Sequence, residues 1–117
     1  MQTDNLILSK SNELAHLVYK ITKSFPKEEI YGLTSQLRRS ATSVPANITE
    51  GFARISDKSN KQFLMIAYGS LQELKYFLTF SCDEGYINKA DYEKTQSLAE
   101  ECSKMLWKTI KTLGSKC

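Results

Sequence analysis

One histidine stands in this chain, three residues after a glutamate, in Glu13-Leu14-Ala15-His16. On a helix, Glu-x-x-His places a carboxylate and an imidazole on one face, and two such motifs with two further glutamates build a di-iron centre inside a bundle. A chain with a single histidine completes no such centre alone. A metal would have to be shared between subunits, and the plainer reading is a histidine on the rim. The same scarcity removes the usual general base. Cys82, Cys102 and Cys117 are odd in number and widely separated, which fits neither a disulfide framework nor a zinc site. They read as two thiols in helix cores and one in the tail, in a reducing cytoplasm. No nucleophile motif and no glycine-rich phosphate loop is present. The expectation is a non-enzymatic protein with no cofactor and no metal.

The basic residues offer a different chemistry. Guanidinium forks match phosphate geometry, so Arg38 and Arg39 could hold a nucleic-acid backbone. They could instead pair with carboxylates across a subunit boundary, since buried charge needs a partner. Arg39 and Glu50 lie eleven residues apart, about three helical turns, and so fall on nearly one line with Gln36, Ser43 and Asn47 close to it. Along one helix that pair is too far apart to touch; a symmetric neighbour could close the gap. Gln36, Arg39, Ser43, Asn47 and Glu50 are therefore assigned to an oligomer interface, and Arg38 to nucleic acid. Lys104, Lys108 and Lys111 recur at steps of four and three, with Lys116 beyond them. This stripe is either a solvated face that complements the helix C-terminus or a surface that tracks phosphates. Trp107 adjoins it, as half-buried core or as a stacking platform, and Glu100 and Glu101 one turn earlier would dilute its field. Tyr68, Tyr76 and Tyr86 are too scattered for an RNA-binding sheet.

The elements that carry these residues are helical by period. A first helix over about 4–24 turns Ile7, Leu14, Val18, Ile21 and Phe25 inward, and Phe25-Pro26-Lys27 breaks it. A second over about 27–52 buries Ile30, Leu37, Ala41, Val44 and Ile48. Pro45 lies in its middle, so a kink is expected there; the alternative is a separate short helix capped by Ser43. A third over about 60–83, with Asp57 or Ser59 as N-cap, faces Phe63, Ala67, Leu71, Leu74, Phe77, Leu78 and Ser81 inward. Gly69-Ser70 inside it costs about 1 kcal/mol for the glycine and implies close approach of a neighbouring helix. Gly85 suits a left-handed C-terminal cap. Asn88-Lys89-Ala90-Asp91 resembles a capping box, opening a fourth helix that runs to about Leu113, with Leu98, Cys102, Leu106, Ile110 and Leu113 inward and Gly114 ending it. Short connections make successive helices antiparallel neighbours. The fold class is all-α: a single-domain, antiparallel up-down-up-down four-helix bundle, with helix two kinked at Pro45.

Composition agrees. A chain of 117 residues with 41% hydrophobic and 25% charged residues forms one domain with a real core. A formal charge of +3 says little by itself about nucleic acid. No apolar run reaches the length of a membrane span, and Met1-Gln2-Thr3-Asp4 lacks the basic and apolar regions of a secretory signal. A cytoplasmic protein with no membrane partner is expected.

Gln36-Leu37-Arg38-Arg39, Ser43, Pro45, Asn47-Ile48, Glu50-Gly51-Phe52 and Arg54 also form a signature, extended upstream by Ser24-Phe25-Pro26-Lys27-Glu28-Glu29 and Tyr31-Gly32-Leu33. Phe63-Leu64, Ala67, Gly69-Ser70-Leu71, Glu73-Leu74 and Gly85-Tyr86-Ile87 continue it downstream. The whole resembles the small bacterial four-helix-bundle proteins encoded in intervening sequences of 23S ribosomal RNA genes. These are related to the accessory variability proteins of diversity-generating retroelements. The resemblance implies a homopentamer, and for the related group partners among nucleic acids and a reverse transcriptase. Ser40, Thr42 and Thr49 stand where the family more often has alanine, which touches only interface packing. The function expected is a nucleic-acid-associated accessory role, binding RNA or DNA; the rival is a protein-binding scaffold with no nucleic-acid role.

Overall fold

Apolar residues at three- and four-residue steps turn nearly the whole chain into helix. The structure, a computed structural model, describes residues 2–115, with side chains placed over 5–113. Its helices are α1 (Gln2–Thr22), α2 (Leu33–Phe52), α3 (Asp57–Asp83) and α4 (Lys89–Ser115), with a 3-10 turn at Lys27–Glu29 between the first two. α1 packs on α2 and α4, and α3 packs on α2 and α4. Each helix thus has two helical neighbours, and the four inner stripes meet in one core. Leu14, Val18, Leu37, Ala41, Val44, Leu64, Ala67, Leu71, Leu74, Leu78 and Ala99 are wholly removed from solvent. No helix among the described residues is long and apolar enough to cross a membrane.

Three hydroxyls inside this core bond back to their own helix. Thr22 Oγ1 donates to the Val18 carbonyl at 2.8 Å, Thr95 Oγ1 to Asp91 at 2.7 Å and Ser40 Oγ to Leu37 at 3.2 Å. This back-bonding gives the buried hydroxyl hydrogen an acceptor within its own helix.

The helix ends show what decides them. α3 closes in a Schellman motif: Gly85 has φ +81°, its N–H reaches the Cys82 carbonyl at 3.0 Å, and the Tyr86 N–H reaches Ser81 at 2.9 Å. At the start of α4 the Asp91 N–H donates to Asn88 Oδ1 at 2.8 Å, and Asn88 Nδ2 returns a bond to the Asp91 carboxylate at 3.1 Å. Both of these ends are as the sequence predicts. α3 instead begins at Asp57, earlier than predicted, because Ser56 is the cap: its Oγ accepts from the Ser59 N–H at 3.1 Å. α4 runs through Gly114 to Ser115.

The predicted second helix differs most. Its first turn separates as the 3-10 piece, Gly32 interrupts, and α2 starts at Leu33, whose N–H is taken by the Glu29 carboxylate at 3.0 Å. Ile30 therefore leaves the helical register and is 51% exposed; it is not core, while Phe25 is buried. α2 continues unbroken across Pro45, so no separate short helix forms there, and Ser43 bonds to Ser70 instead of capping.

The close approach inferred at Gly69 lies elsewhere. A Cβ at Gly69 would meet nothing within 4 Å. At Gly51 it would stand 3.0 Å from Asn60 Oδ1, 3.2 Å from the Asn60 carbonyl oxygen and 3.2 Å from Phe63 Cβ. The two glycines should thus respond oppositely in thermal unfolding. Gly69→Ala is expected to stabilise by about 1 kcal/mol, the helix-propensity difference. Gly51→Ala is expected to destabilise by about 1–3 kcal/mol through overpacking of α2 on α3. Equal shifts of the same sign would contradict the geometry.

Candidate nucleic-acid and subunit interfaces

α2 presents its predicted interface residues to different neighbours. Ser43 Oγ lies 2.9 Å from Ser70 Oγ of α3, and Asn47 Nδ2 donates to the Ser43 carbonyl at 2.8 Å and to Ser43 Oγ at 2.9 Å. Ser43 thus binds α2 to α3 within the chain, and Asn47 supports Ser43 from one turn along the same helix. Glu50 is exposed and takes Arg54, one turn on, at 2.9 Å. The Arg54 guanidinium also lies over the Phe63 ring, 4.4 Å from its centre. Gln36 and Arg39 are exposed. The sequence line from Gln36 to Glu50 is therefore divided, with its middle turned toward α3 and its ends open. Ser70, which completes the α2–α3 contact, carried a signal in its place beside Gly69 on the third helix.

Arg38 is half-buried and held from two sides. Its Nε donates to Thr22 Oγ1 at 2.9 Å, and its guanidinium lies over the Tyr19 ring, 4.6 Å from the centre. Beside it Arg39, Tyr31 and Ser35 line a cleft of about 360 Å³ between α1 and the start of α2. A larger apolar groove, about 930 Å³, runs between the same helices and is lined by Leu8, Ala15, His16, Pro45 and Ala46 among others. His16 is exposed on its edge. Among the described residues no three of His, Cys, Asp and Glu stand together as a metal site.

On α4, Lys104, Lys108 and Lys111 are all exposed, and none joins the ion pairs found among the described residues. Lys116 lies outside those residues. The two carboxylates that precede the stripe point away to other helices. Glu100 pairs with Lys75 of α3 at 3.1 Å, and Glu101 with Lys10 of α1 at 3.1 Å. The bond to Glu101 holds the Lys10 ammonium above its usual range. Trp107 sits among the lysines, 45% exposed, with its ring 5.3 Å from that of Tyr68. It is both packed and available on one face.

Cys102 is a poor nucleophile. Cys102 is buried, and burial pushes its thiol up to about 11. Cys82 is free and half-buried, and Cys117 lies outside the described residues. A raised value in the folded state means that the neutral thiol is the form the fold favours. Its contribution to stability is complete below the ordinary value of 9.0 and is lost as pH rises toward about 11. Alkylation mapped by mass spectrometry at pH 8 should leave Cys102 unmodified until the protein unfolds. Labelling of Cys102 in the folded protein at that pH would contradict its burial.

The chain belongs to the family of 23S rRNA-intervening sequence proteins, which its residues 3–108 match. A crystal structure of a protein of unknown function, from the S23 ribosomal protein family of Bacteroides thetaiotaomicron, is similar to it. The two share 30% identity at a TM-score of 0.87, covering 93% of this chain and 98% of that one. No curated protein matches.

Proposed function

We propose that this member of the 23S rRNA-intervening sequence proteins is a non-enzymatic oligomer that binds nucleic acid through phosphates, without reading sequence. The observation that carries this is the unneutralised stripe of Lys104, Lys108 and Lys111, with Glu100 and Glu101 both drawn off to Lys75 and Lys10. The dilution expected from those acids is thereby reduced. Exposed lysines at three- and four-residue steps along a helix, with Trp107 between them, combine charge and an aromatic face as single-strand and backbone binders do.

Assembly multiplies that charge. Five copies at +3 each carry +15, and a symmetric ring repeats the stripe, which raises avidity without a new contact type. Exposed apolar side chains on α3, including Ile66, Tyr76 and Phe80, support self-association, as does the family resemblance. Open Gln36 supports a subunit contact at the start of α2. The successive pairs Gln72 with Ser103, Lys75 with Glu100 and Thr79 with Gln96 run in opposite senses along α3 and α4, which supports the alternating up-down order. Pro45, which withholds an N–H from α2, supports a kink there. The free thiols fit a reducing cytoplasm. A reverse transcriptase partner rests on resemblance alone. In the rival reading the same assembly is a protein-binding scaffold.

Two measurements divide these readings. Light scattering coupled to gel filtration should give a mass well above a dimer, and Arg39→Glu should lower it if Arg39 meets a neighbouring subunit. A wild-type monomer at every concentration and salt would end the oligomer reading. Labelled RNA and DNA, titrated at two salt concentrations, should bind more weakly as salt rises. Replacing Lys104, Lys108 and Lys111 by glutamine should flatten the logarithmic salt dependence by about two to three. No binding at low salt from a verified oligomer would leave the scaffold.

A further inference from the structure

Arg38 is the anomaly of the α1–α2 face. A half-buried guanidinium normally has a carboxylate beside it, because burial without an opposite charge is costly. Arg38 has a hydroxyl and an aromatic ring instead, Thr22 and Tyr19. The three ion pairs among the described residues involve neither Arg38 nor Arg39. Glu29, on the turn just before α2, is already engaged: its two oxygens accept from the Leu33 N–H and from the Tyr86 hydroxyl. With Nε bonded to Thr22 and one face on Tyr19, the Arg38 fork is fixed before any ligand arrives, and it forms one wall of the cleft. Arg39 and the Ser35 hydroxyl line the same cleft. At its edge stands Tyr31, 95% exposed, next to Ile30 at 51%. An aromatic ring so fully in water has no packing role within the chain.

We propose that this cleft binds one unpaired nucleotide of a single-stranded nucleic acid, with a phosphate held by Arg38 and Arg39 and the adjoining base stacked on Tyr31. A planar fork fixed on one side suits a phosphodiester oxygen pair. A free ring face accepts any base. A base inside a duplex has no free face to offer, so the cleft selects single strands, which the lysine stripe does not. The inference rests on the nucleic-acid reading above and adds a second site on a different pair of helices.

The test uses the full chain, with labelled oligodeoxythymidylate and a duplex hairpin as probes. Tyr31 and Arg39 are exposed, so substitutions there leave the core intact. Tyr31→Ala is expected to weaken single-strand binding by about tenfold, the order of one lost base stack, with duplex binding unchanged and Tyr31→Phe restoring it. Arg39→Gln should lower the salt slope for the single strand by about one, with oligomer mass checked in the same sample. Unchanged single-strand affinity in both variants, alongside loss in the triple lysine variant, would overturn the cleft and keep the nucleic-acid reading. No binding by the wild-type chain would overturn both. Thymidine monophosphate binding as tightly as the polymer would assign the cleft to a free nucleotide and overturn the strand proposal.

Discussion

Everything in this bundle depends on how closely α2 seats on α3. The side of α2 that meets α3 is built from small residues. Gly51 leaves no room for a Cβ beside Asn60 and Phe63, and Ser43 reaches across to Ser70. Side chains of ordinary size at these points would hold the helices apart and open the layer where Leu37, Val44, Ile48, Leu64 and Leu71 meet without solvent. Close seating also fixes rotation. Once Ser43 faces α3, the opposite flank of α2 carries Arg38 and Thr42 toward α1, and Gln36 and Arg39 are left in water.

That geometry explains what the sequence made legible. Burial follows periodicity, and periodicity is a local property, so the inward positions of α1 and most of those of α3 and α4 could be read directly. Gly85 and Asn88 were legible for a similar reason: their bonds lie within a few residues. The misreadings share a different cause. Ile30 fits the period of α2, yet a carboxylate four residues before Leu33 claims the first helical N–H and ends the register at Gly32. Gly69 and Gly51 look alike as letters, and only the third dimension says which one a neighbour crowds.

Charge is distributed with a similar logic. The acids of α4 that face neighbours are bonded to lysines of α1 and α3, which ties three helices together at their midsections. Among the basic residues outside those ion pairs, Lys104, Lys108 and Lys111 group on the late turns of α4, and Arg38 and Arg39 near the start of α2. Exposed pairs of this kind add little to stability. Their larger effect is on the field outside the molecule, where removing two carboxylates from the neighbourhood of the lysines leaves a more uniform positive surface.

One carboxylate has a mechanical consequence as well. Glu29 grips the first N–H of α2 with one oxygen and the Tyr86 hydroxyl with the other, and the Tyr86 ring rests 5.5 Å from that of Phe25. The α1–α2 connection and the α3–α4 turn are thereby clasped together, although they are far apart in sequence. Among the described residues the α2–α3 connection is tied to its own two helices, by Arg54 to Glu50 and over the Phe63 ring, and Ile55 within it stands fully in water. The bundle is therefore a bound sheaf with one tied end. Its breathing motions should start at the α2–α3 connection and run toward the clasp, so amide exchange would sweep along the helices from one pole to the other.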